Sequence, residues 1–212
     1  MSADPGAAAW PEPSPVPLPV QLQGSPLARS VLRLLGWQVR FNGLPARQGV
    51  VIVYPHTSNW DFPVMLLAKW TIGLQVTFWG KDTLFRVPLF GRWLRWLGGV
   101  PVDRRAANGI VGQMARALAE ARSQDAFLWL ALSPEGTRKL KSSWRSGFYH
   151  VALQAGVPLA LVSLDYRKHD IGVQHFMHLS GDVGADMARI AAVLSQPTGR
   201  HPAQAAPIRL EP

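Results

Sequence analysis

Continuous apolar runs alternate along this chain with segments in which apolar residues recur every three or four positions. The runs predict strands buried on both faces of a sheet, and the periodic segments predict helices. The predicted strands cover residues 50–54, 74–79, 100–102, 126–132, 158–165 and 173–179. The predicted helices cover residues 61–69, 82–97 with interruptions at Pro88 and Gly91, 108–121, 147–155 and 182–194. The alternation predicts an α/β fold, a single domain whose largely parallel central sheet is covered by helices on both faces.

An amphipathic helix is predicted at the start of this domain. From Pro26, apolar residues such as Leu27 and Val31 recur with helical spacing, arginines lie between them, and the pattern ends near Asn42. The segment is too short to cross a bilayer. It either lies on a membrane surface or packs on the domain as an ordinary surface helix, and the pattern does not decide between the two.

The two ends of the chain have a different composition from the domain. Residues 1–25 contain six prolines, which disfavour both helices and central strands, and they predict a disordered Pro-rich tail. No basic segment precedes an apolar run there, so a secretory signal is not expected. Residues 26–196 form the predicted domain, and residues 197–212 a loosely ordered C-terminal tail.

Composition narrows the class of protein further. The chain of 212 residues has no cysteine, which excludes disulfide frameworks, thiolate metal sites and cysteine nucleophiles. Its formal net charge is +9, and most of the excess lies in residues 29–105, which also hold six of the nine tryptophans. Basic residues beside tryptophan indicate either nucleic acid or an anionic lipid surface as a partner. No run of about 18 apolar residues predicts a helix that spans a membrane.

Polar residues cluster where three predicted strands end. In an open parallel sheet, functional residues lie beyond the carboxyl ends of the strands. The three clusters are PHTSNWD at 55–61, PVDRR at 101–105 and SPEGTRK at 133–139. These residues are therefore expected to form the functional site.

His56 and Asp61 have the spacing of a general base and its orienting carboxylate. A chain that leaves a strand and enters a helix can bring Asp61 back against the imidazole of His56, which then accepts a proton from a hydroxyl. The pair is the base half of a Ser-His-Asp arrangement without its nucleophilic serine, so the nucleophile would be a substrate hydroxyl. Two alternatives stay open: Asp61 caps its helix while His56 is a satisfied turn residue, or the pair binds a metal, for which a third ligand is missing.

The segment from Glu135 to Arg138 is suited to binding an anion. Gly136 allows backbone amides to approach an anion, and Arg138 offers a planar fork to phosphate oxygens, with Arg104 from a neighbouring strand end. The alternative is that these arginines form solvated ion pairs with nearby acidic residues. No P-loop, GxGxxG or GxSxG pattern occurs, so no nucleotide-binding or serine-hydrolase motif supports those functions.

Together these segments resemble the glycerolipid acyltransferases, the lysophosphatidic acid acyltransferase-like family. HTSNWD at 56–61 resembles the HxxxxD motif of that family, GVPVDR at 99–104 its second block, SPEGTR at 133–138 its third and AGVPLALV at 155–162 its fourth. Four blocks in order are a specific signature. The chain departs from the family at Pro55, Pro101 and Ser133, which bears on the identity of the acceptor.

The resemblance implies transfer of a fatty acyl chain from acyl-CoA or acyl carrier protein to the hydroxyl of a lysophospholipid-type acceptor, with no metal and no cofactor beyond the donor. It implies that His56 and Asp61 are catalytic. By the same resemblance, the residues that hold the polar head of the acceptor are Arg104, Glu135, Gly136, Thr137 and Arg138.

The same family likeness favours lipid over nucleic acid as the partner. It predicts a protein peripherally associated with the inner face of the cytoplasmic membrane. The predicted docking face consists of Arg29, Arg33, Arg86, Arg92 and Arg95 with Trp37, Trp93 and Trp96. Two alternatives are a non-catalytic basic module that binds lipid or nucleic acid, and a metal-dependent phosphatase or hydrolase.

Overall fold

The computed structural model of this chain describes residues 18–102 and 107–211. The strands found there are β1 Gln38–Phe41, β2 Gln48–Tyr54, β3 Thr77–Lys81, β4 Gly99–Val102, β5 Leu128–Leu132, β6 Leu159–Asp165 and β7 Asp170–Met177. The helices are α1 Pro26–Leu34, α2 Asp61–Ile72, α3 Asp82–Phe85, α4 Phe90–Trp96, α5 Ala107–Ser123, α6 Gly147–Ala155 and α7 Val183–Leu194. A short 3₁₀ turn follows at Pro202–Gln204.

The strands form one sheet in the order β1-β7-β6-β2-β5-β3-β4. All neighbouring strands are parallel except β6 and β7, which pair antiparallel. Strand β2 lies at the centre, where Val50 is opposite Leu130 of β5 and Val51 is opposite Ala160 of β6. The predicted α/β domain with a largely parallel sheet is confirmed.

Helices cover both faces of the sheet. Because successive residues of a strand point to opposite faces, Val50 packs in a core with α5, α6 and α7, while Val51 packs in a second core with α1 and α2. Continuous burial along β2 and β6 follows from this arrangement and explains why these strands are apolar at nearly every position. The sheet therefore holds the carboxyl end of β2 rigidly between two packed layers.

The N-terminal amphipathic helix is confirmed, but it is shorter than predicted. Ser25 caps it, and it ends at Leu34 because Gly36 takes a left-handed conformation with φ of 78°. The chain then enters β1, a strand that the helical pattern hid. Trp37, predicted on an exposed docking face, is buried instead, with its ring 4.9 Å from that of Tyr166. No helix in the described part of the chain is long and apolar enough to cross a membrane.

Part of the predicted Pro-rich tail is ordered. Residues 1–17 lie outside the described residues, but Leu18 donates from its backbone to Asn42, and Val20 and Leu44 exchange backbone hydrogen bonds. The chain from Leu18 onward thus runs along the loop between β1 and β2. These bonds come from the backbone, so the proline content of the segment did not reveal them.

The C-terminal segment also differs from its prediction as a loosely ordered tail. Ala206 is fully buried and accepts a 2.9 Å hydrogen bond from the hydroxyl of Tyr54. Trp144 donates from its backbone to Arg209 and accepts from the backbone of Glu211. The partners are distant in sequence, so the local composition of residues 197–212 carried no sign of this packing.

Candidate active site

The first polar cluster forms a turn between the central strand and α2. Strand β2 ends at Tyr54, the Tyr54–Pro55 peptide is cis, and α2 begins at Asp61. The turn brings Nδ1 of His56 within 3.0 Å of Oδ2 of Asp61. The carboxylate of Asp61 is fully buried, whereas the imidazole of His56 is 22% exposed. Its second nitrogen, Nε2, makes no hydrogen bond to any residue that the structure describes.

Asp61 is surrounded by hydrogen-bond donors. Besides His56, its Oδ2 accepts from the backbone of Ser58 at 2.9 Å, and its Oδ1 accepts from the hydroxyl of Tyr166 at 2.7 Å. Burial by itself would raise the pKa of Asp61, but the bonds from His56, Ser58 and Tyr166 outweigh burial and lower that pKa below its ordinary value. The carboxylate is therefore ionised at neutral pH. Trp60, at the N-cap of α2, makes no side-chain capping bond.

Glu135 lies behind the His56 turn rather than in open solvent. It is 2% exposed, and Oε2 accepts a 2.6 Å hydrogen bond from the backbone of His56 while Oε1 accepts one of 2.9 Å from Ala206. Burial raises the pKa of Glu135, an effect that the two backbone bonds partly offset. The sequence predicted that Glu135 contacts substrate, whereas the structure shows both oxygens bound to backbone amides.

Exposure increases along the rest of the third block, from the half-buried Gly136 and Thr137 to the exposed Arg138. Gly136 has a φ of 64°, and a Cβ added there would lie 3.0 Å from Cδ of Arg145, so glycine allows the Arg145 side chain to cross the turn. Arg138 is exposed, and Thr137 accepts a long 3.4 Å bond from the backbone of Lys139. Within the described part of the chain, Arg138 and Arg145 make no ion pair. The prediction for Arg104 lies outside the described residues.

A cavity of about 960 Å³ opens beside the His56 imidazole. It contains His56 and Asp61 at one end and follows α2 as far as Ile72, about 16 Å along the helix axis at 1.5 Å per residue. Its walls combine an apolar part with four basic side chains. The apolar part includes Val51, Val53, Met65, Val76, Phe78 and Val162. The basic side chains are the half-buried Lys69 and the exposed Lys81, Arg138 and Arg145.

Two residues of the site, Lys81 and Tyr166, were not predicted, although their positions at the ends of strands pointed to them. Lys81 ends β3 and Tyr166 follows β6, so both lie at carboxyl ends of strands, the position that identified the other clusters. The segments that they begin, KDT at 81–83 and YRKHD at 166–170, are polar too, but neither was singled out. Ala206 contributes only its backbone, for which the sequence carries no signal. Among the described residues, no group of three or more His, Asp or Glu side chains could hold a metal ion.

A family model described as Acyltransferase matches residues 38–164. The chain belongs to the acyltransferase family. The matched range covers more than half of the chain and contains the His56 turn and the Glu135 motif. The resemblance seen in the four sequence blocks is therefore confirmed, and the protein is an acyltransferase.

A comparison with solved structures finds a similarity at low sequence identity. The acyltransferase resembles the 1-acyl-sn-glycerophosphate (LPA) acyltransferase PlsC from Thermotoga maritima, with a TM-score of 0.48 and 18% sequence identity. The match covers 78% of this chain and 71% of the other. A search of the curated proteins found no match.

Proposed function

We propose that this acyltransferase moves a fatty acyl chain from an acyl thioester, acyl-CoA or acyl carrier protein, to the free hydroxyl of a lysophospholipid-type acceptor. The observation that carries the proposal is the 3.0 Å contact between His56 and the buried Asp61 at the end of a largely apolar cavity. A base, an apolar channel and exposed cations are the three features that the reaction requires.

The chemistry follows from the orientation of the imidazole. Asp61 occupies Nδ1, so Nε2 of His56 accepts the proton of the acceptor hydroxyl. The hydroxyl oxygen attacks the thioester carbonyl carbon, a new C–O bond forms, and the C–S bond breaks. The departing thiolate takes the proton from the imidazolium, which restores neutral His56. The ionised Asp61 stabilises the imidazolium while it exists.

The cavity along α2 suits the acyl chain of the donor. Its apolar walls lie between α2 and the sheet and would hold the chain with the thioester carbonyl near His56. Holding both substrates together makes the attack unimolecular, a large source of rate in two-substrate reactions. The mouth of the same cavity carries the cations Lys81, Arg138 and Arg145, which suit an acceptor with an anionic head. Arg104 remains predicted for that role.

Glu135 supports the site indirectly in this proposal. Because its two oxygens hold the backbone of His56 and of Ala206, it positions the catalytic turn rather than contacting the acceptor. Gly136 and Thr137 then shape the turn that presents Arg138.

The donor and acceptor meet at a membrane surface in this proposal. Helices α1 and α4 both contact α2, through Ser25 with Trp70 and through Trp93 with Phe62. Both helices and the loop before α4 expose large apolar side chains next to arginines. The docking face proposed here includes Arg29, Arg33, Arg92 and Trp96 from the predicted face, together with the exposed Leu27, Leu34 and Leu89. Exposed apolar residues interleaved with cations are typical of proteins that lie on anionic lipid, here the inner face of the cytoplasmic membrane.

An acyl-transfer assay tests the proposed function. Purified protein is incubated with labelled acyl-CoA or acyl carrier protein and a panel of lysolipids, and His56→Ala is run beside it. We expect ester formation by the wild type, loss of at least a thousandfold in the variant, and unchanged circular dichroism. Activity retained by His56→Ala, or no transfer from either donor to any lysolipid, would contradict the proposal.

A further inference from the structure

Tyr166 reaches the His56–Asp61 pair from the end of the neighbouring strand, because β6 pairs directly with β2. It follows β6, lies 105 positions after Asp61 in the sequence, and donates its hydroxyl to Oδ1 of Asp61 at 2.7 Å. Its backbone N–H donates to Thr198 at 2.8 Å, and its ring meets Trp37 edge-on. The hydroxyl is therefore held in place from both the main chain and the ring.

The bond from Tyr166 completes the shell of donors around a carboxylate that must not rotate. Oδ2 of Asp61 accepts from His56 and Ser58, and Oδ1 accepts from Tyr166. With donors on both oxygens, the plane of the carboxylate is fixed relative to the imidazole. Resting on the proposed function, we propose that Tyr166 is a positioning residue that orients Asp61 toward His56 and so sets the basicity of the pair.

The surroundings keep the Tyr166 hydroxyl a donor. Burial raises the pKa of Tyr166, and the hydrogen bond to Asp61 raises it further, so the phenol stays protonated while the enzyme works. The other titratable or charged groups facing this cluster are His56 from the turn, Glu135 after β5 and Arg200, whose guanidinium lies 6.0 Å from the Tyr166 ring. Loss of the hydroxyl removes one donor from Asp61, and a carboxylate with fewer donors holds a proton more tightly.

The chain offers a matched control for this bond. Tyr149 of α6 donates its hydroxyl to the buried Asp186 of α7 at 2.8 Å, and neither residue lines the cavity. Tyr166→Phe and Tyr149→Phe therefore each remove one hydrogen bond from a tyrosine to a buried aspartate. A general loss of stability affects both variants, whereas a loss of orientation at His56 affects only the first.

Steady-state kinetics of the two variants test the inference. We expect Tyr166→Phe to lower kcat by about ten- to a hundredfold, the effect of one hydrogen bond to a charged group, with KM for donor and acceptor unchanged. The acid limb of its pH–rate profile moves to higher pH. Tyr149→Phe keeps kcat within about twofold and the same acid limb, with a similar fall in melting temperature.

An NMR measurement tests the same inference without relying on catalytic turnover. The proton on Nδ1 of His56 gives a downfield ¹H NMR signal when it is held by Asp61, and His56→Ala assigns it. We expect Tyr166→Phe to shift or broaden that signal and Tyr149→Phe to leave it in place. If Tyr166→Phe keeps the wild-type signal, kcat and acid limb, the inference is wrong. If the wild type transfers no acyl group, the proposed function fails while the signal still decides the inference.

Discussion

The backbone N–H of Ala206 donates a hydrogen bond of 2.9 Å to Oε1 of Glu135, across 71 positions of the sequence. The second oxygen of the same carboxylate accepts from the backbone of His56 at 2.6 Å. Glu135 thereby joins the C-terminal segment to the turn that carries the base. The position of His56 depends on a side chain that accepts hydrogen bonds at both of its oxygens.

We expect Glu135→Gln to lower acyl transfer by at least tenfold. The amide keeps the size of the side chain but presents N–H to one of the two backbone donors, which leaves a buried pair of donors facing each other. The melting temperature falls by several degrees for the same reason. Both quantities are measured on the purified variant, with transfer assayed as for the wild type and unfolding followed by circular dichroism.

The control for this substitution is Glu120→Gln on the exposed side of α5. Among the described residues, the carboxylate of Glu120 accepts a hydrogen bond only from the Gln124 side chain. The change is solvated, so activity and melting temperature stay close to wild type. Wild-type activity in Glu135→Gln would show that the bridge between the two segments does not position His56.

Two buried aspartates, Asp61 and Asp186, are expected to make the free energy of unfolding fall at acid pH. Burial by itself would raise the pKa values of Asp61 and Asp186, but hydrogen bonds from their neighbours lower both below the ordinary range. A lowered pKa in the folded state stabilises the protein above the unfolded value of about 4, and that stability is lost as the pH falls toward the folded value. We expect Asp61→Asn and Asp186→Asn each to cost at least about 1.5 kcal/mol at pH 7.

Urea unfolding at pH 7 and pH 3 measures this effect. The difference between wild type and each variant should shrink at the lower pH, because below about pH 4 the unfolded wild type binds protons at these carboxylates, which favours unfolding. Only Asp61→Asn should lose acyl transfer. A difference in stability that is the same at both pH values would mean that the hydrogen bonds do not favour the ionised carboxylates.

Charge reversal on α4 tests the docking face. Arg92 is exposed, and replacing it with Glu removes one attraction to anionic lipid and adds one repulsion. At about 1 kcal/mol for each charge, binding to anionic vesicles weakens about thirtyfold. Binding is measured by vesicle sedimentation, at equal lipid, with anionic and with zwitterionic vesicles.

Arg116→Glu on α5, on the opposite face of the sheet, is the matched control and should bind as the wild type does. Equal binding by Arg92→Glu would exclude α4 from the interface. Tight binding of the wild type to an oligonucleotide but not to vesicles would favour the nucleic-acid interpretation of its charge.

The sheet was predictable where burial on both faces leaves a continuous apolar run. Strands β2 and β6 carry such runs and were found to within two residues at either end. Strand β1 was missed because it is short, lies at the sheet edge and alternates exposed with half-buried residues, so that it continued the pattern of the preceding helix. The antiparallel pairing of β7 was also unpredicted, since the strand pattern does not reveal direction.

The pair of His56 and Asp61 was predictable from the sequence, but the residues that hold this pair in place were not. His56 and Asp61 are five residues apart, so a local turn was enough to predict that they meet. The groups that hold them, Tyr166 and Ala206, reach the turn from distant parts of the chain, and one acts only through its backbone. Hydrophobic patterns in a sequence reveal local periodicity, whereas these contacts join distant residues and leave no such pattern.

The C-terminal segment has a consequence for how the molecule folds. The bond from Tyr54 to Ala206 spans 152 positions, and that from His201 to Thr57 spans 144. Closing such long loops costs entropy that only an already assembled sheet can offset. We expect the catalytic turn to become ordered late in refolding, after β2, β5 and β6 have paired. Recovery of activity after dilution from denaturant should therefore lag behind recovery of secondary structure.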